Sequence, residues 1–305
     1  MKNHSILQFF QKKDQLTLDN KAYKKLVDEL FVWLLKSDKV TNDISSKNLF
    51  TDEKIISACI ITREMITVAG LEEIEYLIKN FTDLQTNILC LDGDEITPGQ
   101  SLLKINGDIR EVLAYERTIL NILQRMCGIA TETQNIVNKI SDQKPFIAAT
   151  RKTIWGLLDK KAVAMGGGLT HRLDLSDGIL IKDNHLMFMS ATDTLSKLLK
   201  QVNNTLIEIE VEDKTTLFEL IKLFNQKETK NVLTILLDNF YTKDVTTIMS
   251  KIDHQANIIF EASGGITKDN ITDWAQTGVD IISLGSLTHS TKSSNLSLEI
   301  LGPVS

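Results

Sequence analysis

From Pro145 onward the chain alternates apolar runs of strand length with stretches of helical character, and this alternation limits the possible folds more than any other feature. The runs are FIAAT (146–150), GILI (178–181), LIEIEV (206–211), VLTILL (232–237), NIIFEA (257–262) and DIISLG (280–285). Between several of them stand TTLFELIKLFNQ, DVTTIMSKI and DNITDWAQTG. A parallel neighbour can be reached only through a crossover connection, usually a helix, so strands alternating with helices build parallel βαβ units. Six such runs predict either an α/β barrel or a doubly wound sheet.

The chain before Pro145 is mixed. Residues 20–36, NKAYKKLVDELFVWLLK, place Leu26, Leu30, Trp33 and Leu34 at helical spacing and predict an amphipathic helix behind Asp19 as N-cap. IISACIIT and NILCL are strand-like, and DGDEITPGQSLLKING predicts strands with tight turns. EVLAYERTILNILQRMCGIATETQNIVNKI predicts a long helical region interrupted near Gly128.

Composition narrows the partners. At 305 residues, 42% apolar and 24% charged, the chain can bury one domain and a smaller companion. A net charge of −6 gives no global attraction to nucleic acid or to an anionic membrane, so any anion site must be a local basic cluster. The cysteines Cys59, Cys90 and Cys127 are far apart and form no CxxC pair, which argues against a zinc site or a disulfide frame. MKNHSILQFFQKKDQ lacks the apolar core of a signal peptide, and no apolar stretch is long enough to span a bilayer. These features predict a cytoplasmic protein.

Chemistry in a barrel collects where the strands end. Arg151 and Lys152 follow FIAAT; Lys182, Asp183, Asn184 and His185 follow GILI; Glu210 lies near the end of LIEIEV; Asp238 and Asn239 follow VLTILL. Ser263, Gly264 and Gly265 follow NIIFEA, Gly285 and Ser286 close the last run, and His171 and Arg172 come after a Gly166-Gly167-Gly168 turn. One charged strand end is ordinarily a solvated end; a whole set of them predicts a site. Arg151, Lys152, His171, Arg172 and Lys182 suit carboxylate and phosphate groups. In LIEIEV, Glu208, Glu210 and Glu212 alternate with apolar residues, and acids on a barrel strand need partners, a metal or substrate hydroxyls. Paired glycine turns after the last two strands suit a phosphate. His171, His185 and His289 are not spaced as metal ligands, and anion contact or a supporting role is expected of them.

On these residues the chain resembles the quinolinate phosphoribosyltransferase family. The resemblance is carried by ERTILNILQRMCGIAT (116–131), ATRKT (149–153), GGGLTHRLDLSDGILIKDNHL (166–186), EIEVE (208–212), LLDN (236–239), EASGGIT (261–267) and TGVDIISLGSLTHS (277–290). It implies an open α/β barrel over 129–287 and an N-terminal α/β sandwich over 1–128, completed by 288–305. It also implies a homodimer, sometimes a larger assembly, acting on quinolinate and phosphoribosyl pyrophosphate with Mg2+. Arg151, His171 and Arg172 would hold the quinolinate carboxylates, with Arg117 reaching in from the neighbouring subunit. Lys152 and Lys182 would meet the phosphoribosyl donor. Glu210 and Asp238 would bind ribose hydroxyls and the metal, directly or through water or substrate. Lys152, Lys182, Glu210 and Asp238 are thus the expected catalytic residues. Ser263, Gly264, Gly265, Gly285 and Ser286, with His289 nearby, would hold a phosphate.

The turn after Thr153 departs from the family pattern. Ile154-Trp155-Gly156 stands where the family has a proline and an arginine in a longer connection. A sibling enzyme acting on nicotinate, or a phosphoribosyl-ligand sensor without activity, are the competing expectations. Two acids beside Lys182 speak against the sensor, and the number of cations speaks for a substrate with two carboxylates.

Overall fold

The computed structural model describes residues 2–142, 145–252 and 255–304. The chain opens with α1 (Lys2–Phe10), α2 (Lys21–Asp38) and α3 (Ile44–Leu49). Then come β1 (Ile55–Thr62), β2 (Ile66–Thr67), α4 (Leu71–Phe81), β3 (Gln85–Ile88), β4 (Glu95–Ile96), β5 (Ser101–Asp108) and the long α5 (Ile109–Lys139). The alternating region holds β6 (Phe146–Ala148), α6 (Leu157–Met165), β7 (Ile179–Ile181), α7 (Asp183–Leu186), α8 (Ala191–Gln201), β8 (Leu206–Val211), α9 (Lys214–Asn225) and β9 (Val232–Asp238). It continues through α10 (Thr242–Met249), β10 (Ile258–Ser263), α11 (Ile271–Ala275), β11 (Ile281–Ser283) and α12 (Ser286–His289), and the chain closes on β12 (Leu296–Pro303).

Two compact units result. One comprises Lys13–Gln134, Ile154–Gly167 and Ser290–Ser305; the other comprises Met1–Lys12, Asn135–Thr153 and Gly168–His289. The C-terminal strand completes the first unit: its antiparallel sheet runs β12-β1-β5-β3. Two segments are distributed otherwise than the boundaries expected from the sequence. Residues up to Lys12 join the barrel because Ile6 and Phe10 are buried against its strands. Ile154–Gly167, with α6, joins the sandwich unit because Lys161 pairs with Glu73 at 2.5 Å and Arg125 with Asp159 at 2.7 Å.

Local details depart from expectation in two places. The N-cap of α2 is Asn20, whose Oδ1 accepts the N–H of Ala22 at 2.9 Å and Tyr23 at 3.2 Å. Its buried stripe is Tyr23, Val27, Phe31 and Leu35, one position along from the expected face, and Trp33 is exposed. The helix α5 runs through Gly128 unbroken. A Cβ there would lie 2.3 Å from the Lys292 carbonyl oxygen, so the glycine serves a close chain approach and not a break.

The six predicted strands form one parallel sheet in the order β6-β11-β10-β9-β8-β7. The edge strands β6 and β7 are the ends of that order, and this is the open α/β barrel. Beside β6 lies a single bridge from Ala148 to Leu169, with the Leu169 N–H donating to the Ile147 carbonyl at 2.7 Å.

Alternation along each strand sorts the interior into three layers. The lowest is apolar: Leu206, Val232, Ile259 and Ile281 pack with Ile6 and Phe10 of α1. Burying each of those two α1 side chains stabilises the fold by about 1.5–3 kcal/mol, so α1 is a plug on the floor of the barrel. Two residues further along the same strands come Glu208, Thr234, Glu261 and Ser283, all buried. Two further still come Glu210, Leu236, Ser263 and Gly285, which line an open cavity.

Candidate active site

The cavity has a volume of about 610 Å³ and sits where the strands end. Arg151, Lys152, His171, Arg172, Lys182, Glu210, Asp238, Ser263, Gly264, Gly265, Gly285, Ser286 and His289 all line it. Arg117 does not: it is exposed on α5 and pairs with the adjacent Glu116. Glu261, Ser283 and Thr150, which the sequence did not single out, also line the cavity, as does Glu208, read from the sequence only as an acid in need of a partner. The signal for Glu261 was present, since NIIFEA carries an acid inside an apolar run just as LIEIEV does.

Its cationic wall comes from the turns after β6 and before β7. The Arg172 Nη1 donates to the Gly178 carbonyl at 3.2 Å. Burial and the neighbouring Arg151 push the Arg172 guanidinium below its ordinary value. Two arginines crowded in this way gain from an anion placed between them. Lys152 is fixed through its backbone, its carbonyl accepting the Thr288 hydroxyl at 2.7 Å. Lys182 is set by His185, whose Nδ1 accepts the Lys182 N–H at 3.0 Å; this explains why GILIKDNH carries a histidine three residues beyond its lysine. In this role His185 shapes the turn.

The acidic wall comes from β8 and β9. Lys182 Nζ lies 3.4 Å from Glu210 Oε2. Burial raises the Glu210 carboxyl; Lys182 lowers it and Asp238 raises it further. Burial likewise raises Asp238, against the pull of Lys182 and Lys152. Glu210 is buried and Asp238 partly buried, and two neighbouring carboxyls with raised values favour whatever cation develops or binds between them. Carboxylate oxygens of Glu210, Glu212 and Asp238 lie within 4.8 Å of one another. An all-oxygen donor set of this kind fits a hard divalent ion such as Mg2+.

The glycine turns complete the lining, the first of them against the acidic wall. Gly264 has φ +85°, and a Cβ there would come within 2.6 Å of Asn239 Oδ1 and 2.8 Å of Asp238 Oδ1. Only glycine lets this loop pass so close to the acidic wall. Asn239, itself at φ 58°, donates from Nδ2 to Asp238 Oδ2 at 2.7 Å and so orients that carboxylate. At Gly285 a Cβ would meet Lys152 Cδ at 3.0 Å and His289 Cδ2 at 3.1 Å.

Below the cavity lies the charged middle layer. His171 Nε2 is 3.4 Å from both Glu208 Oε2 and Glu261 Oε1, and the Ser283 hydroxyl donates to Glu261. Burial alone would favour neutral imidazole; Glu208 and then Glu261 outweigh it and push the group up to about 10. Burial and Glu261 likewise raise Glu208. The Arg172 N–H meets His171 Nδ1 at 2.7 Å, so the ring bridges the two glutamates and the turn that carries Arg172.

A barrel that faces a basic wall with an acid pair and closes with glycine turns defines an enzyme for phosphorylated, multiply anionic substrates. The chain belongs to the quinolinate phosphoribosyl transferase family: residues 129–299 match its C-terminal domain and residues 43–127 its N-terminal domain. It is 34% identical over 280 residues to the probable nicotinate-nucleotide pyrophosphorylase [carboxylating] of Methanothermobacter thermautotrophicus, covering 88% of this chain and 97% of that one. The Bacillus subtilis protein of the same name is 35% identical over 283 residues, covering 91% and 93%. The solved nicotinate-nucleotide pyrophosphorylase from Francisella tularensis superposes with a TM-score of 0.81 at 32% identity, over 90% of this chain and 96% of that one. Human nicotinic acid phosphoribosyltransferase shares the fold at 10% identity and a TM-score of 0.56. Among the described residues no helix is long and apolar enough to cross a membrane.

Proposed function

We propose that the protein is a pentosyltransferase that moves the phosphoribosyl group of phosphoribosyl pyrophosphate onto quinolinate, with loss of carbon dioxide. The products are nicotinate mononucleotide and pyrophosphate, and the step belongs to de novo NAD biosynthesis in the cytoplasm. The observation that carries the reading is the cavity itself. Arg151 and Arg172 face Glu210 and Asp238 across one space, in a chain of this family.

The chemistry asks little of any single side chain. As pyrophosphate departs, positive charge grows on the anomeric carbon. Glu210 and Asp238 are stabilised by it, and charge placed in advance is the largest lever on such a barrier. Lys152 and Lys182 take the negative charge of the leaving group. The pyridine nitrogen attacks from the side of Arg151 and Arg172, which hold the ring by its carboxylates. Alkylation makes the ring cationic, that charge stabilises the electron pair left when the adjacent carboxylate departs as carbon dioxide, and a proton from solvent then completes the ring C–H. The turns at Ser263–Gly265 and Gly285–Ser286, with His289, hold a phosphate. Glu210 and Asp238 would hold Mg2+, which supplies charge neutralisation to the pyrophosphate. In this reading the assembly is a homodimer or a multiple of one, and Arg117 completes the carboxylate site of the neighbouring subunit.

The test is a direct assay. Purified protein is given phosphoribosyl pyrophosphate, Mg2+ and either quinolinate or nicotinate, and nicotinate mononucleotide and carbon dioxide are followed. Product from quinolinate, lost on chelation of the metal and restored by Mg2+, is expected. Product from nicotinate alone would overturn the reading.

A further inference from the structure

His171 points into the cavity, yet neither of its ring nitrogens is available there. Nε2 sits 3.4 Å from Glu208 Oε2 and 3.4 Å from Glu261 Oε1. Nδ1 accepts the backbone N–H of the next residue, Arg172, at 2.7 Å. The residue is held from behind as well. Its own N–H donates to the Phe10 carbonyl at 2.9 Å, and its ring meets the Phe10 ring edge-on at 5.0 Å between centroids. The same carbonyl accepts the Thr170 hydroxyl at 3.0 Å, and that hydroxyl accepts the Lys12 N–H at 2.9 Å. The backbone at His171 is left-handed, with φ 55°, a conformation that few non-glycine residues adopt and that asparagine, aspartate and histidine tolerate best. A histidine held there by a helix, two strands and its own neighbour is built into the frame.

We propose that His171 is a positioning residue and not a ligand of the substrate carboxylates. It ties the glutamates of the barrel floor and the plug helix α1 to the backbone of Arg172, and Arg172 meets the carboxylate. The inference rests on the reading of Arg172 given above. It assigns to α1 a part in the site: Phe10 fixes the turn from which Arg172 projects.

The side chain that replaces His171 discriminates the two roles. The asparagine Oδ1 stands where Nδ1 stands, so His171→Asn keeps an acceptor for the Arg172 N–H and tolerates the left-handed backbone, but carries neither Nε2 nor charge. His171→Gln reaches the Nε2 position and loses the acceptor, and His171→Ala loses both. The expected result is a KM for quinolinate raised about tenfold in the alanine and glutamine variants, the size of one lost hydrogen bond. Asparagine should recover most of that loss, and the KM for phosphoribosyl pyrophosphate should move less than about twofold throughout, well inside one hydrogen bond's worth. An asparagine variant as impaired as the alanine one overturns the proposal.

Nitrogen NMR on the full-length protein labelled in histidine provides a second readout that needs no folded variant. The His171 ring nitrogens should keep their signals unchanged when quinolinate is added. A ring whose nitrogen signals shift on quinolinate binding overturns the proposal. Arg172→Ala separates this failure from failure of the functional reading: an unchanged quinolinate KM there removes the carboxylate site itself, whatever the signals of His171.

Discussion

Among the places where the molecule sets acids beside a base, two differ in kind. In the sandwich unit, Lys161 Nζ pairs with Glu73 Oε1 at 2.5 Å and with Glu72, while the Tyr23 hydroxyl donates to the same Glu73 oxygen at 2.8 Å. Glu73 and Lys161 are almost wholly inaccessible, and neither lines the cavity of the barrel. Burial alone would lower Lys161, but Glu73 and Glu72 more than offset it and raise the group, while burial raises the Glu73 carboxyl against the pull of Lys161. In the barrel, Glu210 and Asp238 face open space, and a half-exposed Lys182 at 3.4 Å leaves both carboxyls raised. A buried ionic cluster that closes on itself is architecture. One whose acids line an open cavity is placed to meet a ligand.

Removing a partner from the closed cluster should have the largest effect. Lys161→Ala leaves Glu73 buried without its cation and should lower stability by about 3–5 kcal/mol, read by denaturant unfolding, with kcat unchanged in the protein that stays folded. Replacing Lys161 by Met and Glu73 by Gln together should restore most of that stability. A Lys161→Ala protein that unfolds like the parent would dissolve the contrast between the two regions.

In the open cluster the same kind of truncation should act on rate. Glu210→Ala should lower turnover about 10²–10³-fold, the size of one lost preorganised electrostatic contact, while quinolinate affinity changes little. Single-turnover kinetics with saturating quinolinate would measure this, and a loss expressed only in quinolinate KM would place Glu210 on the wrong substrate. Arg172→Ala should act the other way. Its loss from the carboxylate site should raise quinolinate KM tenfold to a hundredfold, corresponding to about 1.5–3 kcal/mol for a charge-assisted hydrogen bond, with a smaller change in turnover.

This difference also explains what could be read from the amino acids. The six parallel strands and their charged ends follow from short-range pattern, because βαβ units announce themselves by alternation and the site lies at one end of every strand. The part played by α1 does not follow. MKNHSILQFFQKKDQ carries too few apolar residues to declare a partner, and Phe10 meets His171 across 161 positions of sequence that no local pattern spans. Glu261 was hidden for a related reason. An acid in an apolar run signals a buried charge, but its partner His171 lies on a distant turn. The break expected at Gly128 failed because the residue answers to Lys292, again far along the chain.

The smallest effect concerns stability and has a definite sign. The Glu210 carboxyl is raised in the folded protein, chiefly by burial, so folding favours its protonated form. A group raised in this way contributes stability fully below its unfolded value near 4.5, and that contribution is lost as pH rises through the folded value. At neutral pH the ionised acid is therefore a burden on the fold, relieved in part by Lys182. Glu210→Gln should consequently melt slightly higher than the parent at pH 7, with the difference shrinking toward pH 4 as the parent takes up its proton. The lost Lys182 pair offsets little of this gain, because Lys182 is half exposed and such pairs contribute about 0–1 kcal/mol. The variant should at the same time be nearly inactive. A glutamine variant that melts lower than the parent at pH 7 would mean that the Lys182 pair outweighs burial, and the acid wall would then resemble the closed cluster around Lys161.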